Sequence, residues 1–322
     1  MPHAIRIHRH GGPEVLTWDA VDVPPPAAGH VKIRQHASGL NYIDTYQRSG
    51  LYKLASLPVV LGMEGAGEVM ATGAGVSAFK VGDRVAYGTE LGGYAEERLI
   101  AADRLVTLPD AISFETAAAM MLQGMTVRYL FRETYKVGPG TVMLFHAAAG
   151  GVGLIACQWA KALGATMIGT VGSPEKAALA QANGCTHVIN YRTEDFAARV
   201  NDITGGQLCD VVYDSIGKDT FLASLHCLKP QGLWVSFGNA SGPVPPFDLS
   251  MLKGSMFATR PSLMAYTARP ADLAANAAEL FDMVAKGKVK IEINQRYALK
   301  DAAQAHRDLE ARATTGSTVL LA

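Results

Sequence analysis

Along the first hundred residues apolar and polar positions alternate in short bursts, each cut off by a turn. Ile5 and Ile7 stand between polar neighbours, and Gly11-Gly12-Pro13 then turns the chain. Val31-Lys32-Ile33-Arg34 alternates again, as do Gly65-Ala66-Gly67-Glu68-Val69 and residues 81–87. Short strands with frequent glycines predict a compact, antiparallel, barrel-like unit up to about residue 110. From about 113 the period changes. Ser113 is placed to cap an Ala/Met-rich helix, and strands then alternate with helices. Strands are expected over 142–147, 166–171, 187–190, 211–213 and 233–237. Between them Val152, Ile155, Trp159 and Leu163 make one helical stripe, Pro174 opens a second helix, and a third spans 194–203. This alternation predicts a parallel sheet covered by helices, because parallel strands need crossovers. The tail from about 261 reads as a helix over 271–286, a strand near 291, a short helix over 299–309 and a terminal strand over 317–321. That last strand is expected to return to the first unit, giving one domain of 1–122 with 261–322 and another of 123–260.

Composition narrows the classes. A chain of 322 residues with 49% hydrophobic and 18% charged side chains can bury the cores of two domains. Basic and acidic residues balance at 29 each, so no polyanionic partner is expected and nucleic acid is disfavoured. Cys157, Cys185, Cys209 and Cys227 form no CxxC pair, and scattered thiols fit a reducing, cytoplasmic setting. The first residues read as a strand rather than the apolar core of a signal peptide. The most apolar run, 142–157, is too short to cross a membrane and contains His146 and three glycines. His3, His8 and His10 flank a strand end without a second group of ligands and read as surface histidines.

The sharpest motif is Ala147-Ala148-Ala149-Gly150-Gly151-Val152-Gly153, directly after a strand and at the start of a helix. Ala148 stands where the first glycine of a dinucleotide fingerprint usually sits, while Gly150 and Gly153 match. Gly150 lets the backbone approach a pyrophosphate, Gly153 lets helix and strand pack closely, and the helix N-terminus offers N–H donors. The next strand ends in Gly172-Ser173-Pro174-Glu175-Lys176, without a carboxylate at its tip to accept from a ribose 2′-OH. Ser173 and Lys176 suit a 2′-phosphate instead, and Tyr191 can close the same pocket, so NADPH is expected over NADH.

Over essentially its whole length the chain resembles the quinone oxidoreductases, the zeta-crystallin-like branch of the medium-chain dehydrogenase/reductase superfamily. The likeness lies in residues 41–52, 145–154 and 212–217, in Ser236-Phe237-Gly238-Asn239-Ala240-Ser241-Gly242, and in Thr259-Arg260-Pro261-Ser262. It implies a Rossmann-type doubly wound sheet beside a GroES-like, partly open β-barrel. Zinc-dependent relatives place a Cys where Asn41 stands, a His within the motif Gly62-Met63-Glu64-Gly65, and a four-Cys lobe where this chain has only 88–100. A catalytic zinc needs three protein ligands, and no Cys precedes residue 157. The resemblance therefore implies zinc-independent reduction of an electron-poor acceptor rather than alcohol oxidation. It places Asn41, Tyr46 and Tyr52 on one loop near the nicotinamide. There a hydroxyl or amide can hydrogen-bond a developing oxyanion, or the tyrosines can simply pack the loop. It adds cofactor contacts from Asn41, Tyr129, Gly151, Val152, Phe237, Gly238, Asn239, Ser241 and Arg312. Gln123, where the family often has Lys, and Met63, where it has a small or hydroxyl residue, depart from the pattern. The activity implied is hydride transfer from NADPH to quinones, with 2-alkenal or enone reduction as the near alternative. A nucleotide-bound RNA-binding or structural, crystallin-like protein is the alternative of another class. The family also implies a homodimer joined by sheet edges near 255–259.

Overall fold

The change of period near residue 113 accompanies a division of the chain into two compact units. The computed structural model describes residues 1–322. One unit comprises Met1–Met125, Tyr266–Lys286 and Ile291–Ala322, and the other Thr126–Ala265 with Gly287–Lys290.

The first unit is organised by the 11-residue strand His30–Leu40. Along one edge it pairs antiparallel with Glu64–Thr72. Its other edge is shared: His30 to Arg34 pair with Glu97–Ala101, and Ala37 to Leu40 pair with Ser317–Leu321. Register shifts at Lys32/Ile33 and Gln35/Ala37 bend the strand between these partners, as bulges do. Arg84–Tyr87 and Val106–Thr107 extend the sheet on one side, and Ile293–Ala298, parallel to Ser317–Leu321, on the other. The terminal strand thus returns to the first unit, as its pattern predicts. A three-stranded sheet centred on His3–Ile7 buries Ile5 and Ile7 against Leu61, Tyr94 and Leu320, while Val31, Ile33, Val69, Val85 and Ile100 fill a second core.

One expectation fails here. The segment with Asn41, Tyr46 and Tyr52 is not a single loop: Tyr42–Ser49 is an α-helix. Asn41 stands in extended backbone at its N-cap, the Asp44 carboxylate accepts the Asn41 N–H at 2.8 Å, and Gly50 ends the helix at φ 85°. An Asn with Asp three residues on and a closing glycine was the available signal.

The second unit is a six-stranded, all-parallel sheet. In space the strands run His187–Asn190, Thr166–Val171, Val142–Phe145, Cys209–Asp214, Leu228–Ser236 and Phe257–Thr259. Met143, Leu144 and Phe145 are all buried, as a strand covered on both faces requires. This strand stops two residues short of the expected 147, because Ala147 adopts φ 58°. In chain order the sheet reads third, second, first, fourth, fifth, sixth. The direction of winding reverses between Val142–Phe145 and Cys209–Asp214, and ligands of such sheets sit beyond the strand ends at that reversal.

Candidate active site

The second unit gathers its candidates at the carboxyl ends of its strands. Helix Gly151–Ala162 starts at the reversal point with Gly150 as its N-cap. Its first intrahelical bond runs from Leu154 N–H to the Gly150 carbonyl, so the N–H groups of Gly151, Val152 and Gly153 face outward as donors. Gly153 is fixed by packing, since a Cβ there would lie 2.3 Å from the Ala147 carbonyl oxygen and 2.6 Å from Ala148. Gly150 is different: a Cβ there would meet only the Ala147 oxygen, at 3.3 Å. Ala148, which replaces the usual first glycine, is accommodated by Gly169 on the neighbouring strand, where a Cβ would come within 2.6 Å of the Ala148 methyl.

Beyond the second strand, Ser173 caps helix Pro174–Ala182 by accepting the Lys176 N–H. The Tyr191 hydroxyl lies 2.7 Å from where a Gly172 Cβ would stand, so the structure brings Tyr191 over Gly172 at the end of the second strand. Sequence reasoning missed Arg192, whose Nε lies 3.5 Å from the same point. Its signal was a second cation directly after Tyr191. On the other side of the reversal, Phe237 packs on Phe145 with ring centroids 5.7 Å apart. Ser241 Oγ donates to the Ile216 carbonyl at 2.9 Å and Gly238 packs on Ser215, while Tyr129 is buried at the end of helix Met121–Tyr129.

A buried polar run, also unread in the sequence, braces these loops. His146, next to the glycine loop, contacts Thr170 Oγ1 through Nδ1 and Ser224 Oγ through Nε2, both at 2.9 Å. Ser224 Oγ reaches Asp214 Oδ2 at 3.4 Å. Asp214 accepts the N–H groups of Ile216 and Gly217 and the Thr220 hydroxyl. Ser, His and Asp evoke a nucleophile triad, but all three are buried and the serine faces the carboxylate as well as the histidine. Their order suits bracing rather than attack. Burial lowers the His146 pKa, against the nearby Asp214 charge.

The first unit holds Asn41, Tyr46, Tyr52 and Arg312. Tyr46 and Tyr52 pack with ring centroids 5.1 Å apart, and Arg312 sits in the left-handed region at φ 58°. Asn41 is tied to two buried side chains: Glu64 Oε2 at 2.6 Å and the Gln123 amide at 3.1 Å. Gly39 makes room for this, since a Cβ there would lie 2.4 Å from Glu64 Oε2. Burial pushes the Glu64 carboxyl up to about 8, its hydrogen-bond partners being the Asn41 amide and the Leu122 N–H. Burial likewise raises Asp44 to about 7, although Tyr94 donates to it at 2.7 Å. His306 lies between Tyr94 (3.3 Å) and Arg48 (2.9 Å), and burial lowers its pKa to about 3. No three His, Cys, Asp or Glu side chains converge in a way that could hold a metal ion. His8 pairs with Asp19, His3 stacks on Trp18, and His10 faces carbonyls of the helix at Gln47 and Arg48.

Comparison with known proteins places these features in context. The profile described as the alcohol dehydrogenase GroES-like domain matches residues 27–110, and that described as zinc-binding dehydrogenase matches residues 151–281. The chain is 56% identical over 324 residues to a quinone oxidoreductase of Pseudomonas aeruginosa, covering 100% of both chains. It superposes with a TM-score of 0.98 on a crystal structure of Escherichia coli quinone oxidoreductase complexed with NADPH, at 51% identity, covering 99% of this chain and 100% of that one. It is also 44% identical to a 2-haloacrylate reductase of a Burkholderia species, covering 100% of this chain and 99% of that protein.

Proposed function

The chain belongs to the quinone oxidoreductases of the medium-chain dehydrogenase/reductase superfamily, and from that membership we propose that it reduces quinones with NADPH, without zinc. The observation that carries the reading is the helix N-terminus at the reversal of the parallel sheet, where the N–H groups of Gly151, Val152 and Gly153 precede the first intrahelical bond, from Leu154 to Gly150. A dinucleotide fits that donor set: the N–H groups of Gly151, Val152 and Gly153 take the pyrophosphate, as such termini bind anions. Ser173, Lys176 and Tyr191, beside Gly172, take the 2′-phosphate. Tyr129, Phe237, Gly238, Asn239 and Ser241, with Asn41 and Arg312, are assigned to the rest of the cofactor. Bound there, NADPH supplies the hydride. Asn41, Tyr46 and Tyr52 supply hydrogen-bond donors to the oxygen that gains charge, and water supplies the proton.

The test is oxidation of NADPH and of NADH by metal-chelated protein, offered quinones, 2-alkenals and simple aldehydes. Faster turnover of quinones with NADPH than with NADH is expected; no turnover of any acceptor would overturn the reading. Turnover of alkenals alone would favour the second reading, reduction of an activated carbon–carbon double bond, which the 2-haloacrylate reductase relative supports. An RNA-binding or structural role has less behind it, since basic and acidic residues balance. We further propose a cytoplasmic homodimer. The outermost strand Phe257–Thr259 is short, and Phe257 on it is 60% exposed; an uncovered strand edge invites pairing. A monomer by light scattering would sink the dimer. No helix is long and apolar enough to cross a membrane.

A further inference from the structure

The run Ser317–Gln123–Asn41–Glu64 in the first unit sets a hydrogen-counting problem. All four residues are buried, and Glu64 has no exposure at all. Ser317 Oγ lies 2.9 Å from the Ala119 carbonyl oxygen and 2.8 Å from one end of the Gln123 amide. The other end of that amide lies 3.1 Å from Asn41, whose own far end lies 2.6 Å from Glu64 Oε2. Glu64 Oε1 accepts the Leu122 N–H at 2.9 Å.

A serine hydroxyl has one hydrogen. The Ala119 carbonyl can only accept, so that hydrogen belongs to it. The Gln123 atom facing Ser317 must then be the donor, Nε2, because amide ends are told apart by their partners. Its oxygen therefore faces Asn41, which must offer Nδ2. The Asn41 oxygen is thus turned toward Glu64. Two oxygens at 2.6 Å need a hydrogen between them, and only the Glu64 carboxyl can carry it. The spacings agree: 2.6 Å suits O–H···O and 3.1 Å suits N–H···O.

We propose that Glu64 holds a proton at neutral pH, donates it to Oδ1 of Asn41, and thereby fixes the direction of the Asn41 and Gln123 amides. Glu64 is a positioning residue, acting through Asn41. With the amides so directed, Asn41 Nδ2 gives one hydrogen to Gln123 and keeps the second for an incoming oxygen. That last step rests on the quinone reductase reading. Loss of the proton makes Glu64 an acceptor only, so the amides reverse and the free donor is displaced. The titratable groups facing Glu64 favour the proton: Asp44 from helix Tyr42–Ser49 adds negative charge, and the phenols of Tyr87 and Tyr94 are raised and neutral. Burial, which holds the carboxyl at about 8, acts in the same sense.

The test is infrared difference spectroscopy on the full chain with 13C-labelled glutamate, together with Glu64→Gln. Glu64 is the only fully buried glutamate, and the label separates its band from that of Asp44. A carboxylic-acid band is expected at neutral pH, lost as the pH rises through about 8 and absent in E64Q. Its absence from the wild type at neutral pH would overturn the proposal, whether or not E64Q folds. In E64Q the amide can donate to Asn41 and accept from Leu122 N–H, copying the protonated acid. Quinone reduction by E64Q should keep kcat within about threefold of wild type and lose the alkaline fall in rate. A retained alkaline fall in E64Q would overturn the positioning role. An acid band in a protein that turns over no quinone would leave the proton in place and sink the quinone reading alone.

Discussion

Asp214 in the second unit and Glu64 in the first are both carboxyls shut away from water, but their surroundings differ in kind. Asp214 receives two backbone N–H groups within 3.1 Å and the Thr220 hydroxyl within 2.9 Å, with Ser224 Oγ and Trp234 Nε1 more distant at 3.4 Å. Those donors satisfy its oxygens as water would. Glu64 has one backbone N–H and one amide, and the amide can turn round. Where fixed donors are abundant a buried carboxyl becomes a structural hub; where they are few it keeps a proton and its neighbours take direction from it. The second unit holds its strand-end loops rigid from beneath, and the first keeps its titrating groups inside.

The sharpest way to break this contrast is at the hub. Asp214→Ala strands the N–H groups of Ile216 and Gly217 and the donors Thr220 and Trp234 in a dry interior. Orphaned buried donors cost about 1–3 kcal/mol each, and breaking a buried charged cluster costs about 3–5 kcal/mol in total. Urea unfolding followed by the fluorescence of the three tryptophans should show a loss of that size, with weaker NADPH binding because residues 215–217 lose their anchor. A loss no larger than that of E64Q would erase the distinction between the two carboxyls.

The next largest effect concerns His306. Burial and the neighbouring Arg48 charge lower its pKa from 6.5 to about 3, so the folded state resists its protonation. A depressed base contributes stability that is fully present above the unfolded value and is lost as the pH falls toward the folded one. The urea midpoint should therefore fall between pH 6.5 and about 3. His306→Ala should start lower by about 1–3 kcal/mol, since Arg48 and Tyr94 each lose a buried partner, but with a shallower acid slope. An unchanged slope would show that another buried group, His146 in the second unit, governs acid unfolding.

The contrast also explains what could be read from sequence. The glycine loop was legible because its chemistry resides in consecutive backbone positions between a strand and a helix. The alternating strands of the first unit were legible because one face of each is buried. The polar run was not, because Asn41, Glu64, Gln123 and Ser317 are distant in sequence and meet only when Ser317–Leu321 and Glu64–Thr72 pair with opposite edges of His30–Leu40. Glu64 lies inside Gly62-Met63-Glu64-Gly65, where the visible departure from zinc-dependent relatives is the absent histidine. Helix Tyr42–Ser49 announces itself only at its ends, through Asn41, Asp44 and Gly50, and not through its tyrosines. The brace of His146, Thr170, Ser224 and Asp214 draws on four separate elements, and no local pattern announces it.

The smallest effect expected is at the second unit's surface, at the pocket proposed for the 2′-phosphate. Lys176 is half-buried at the first turn of helix Pro174–Ala182, and Arg192 is exposed beside Tyr191 and Gly172. Neither supports a core, so removing either should leave the unfolding midpoint nearly unchanged. Each should instead weaken NADPH and spare NADH, because only the former carries the 2′-phosphate. A point charge near a phosphate at a wet surface is worth about 1 kcal/mol or somewhat more. Lys176→Ala is therefore expected to raise the Kd for NADPH roughly tenfold, with Arg192→Ala contributing less because its guanidinium is more exposed. Both losses should shrink as salt is raised, since added ions screen exposed charge. The response to Glu64→Gln should not, because no salt enters that interior. Equal weakening of NADH and NADPH would remove the phosphate from this pocket and with it the role given to Tyr191.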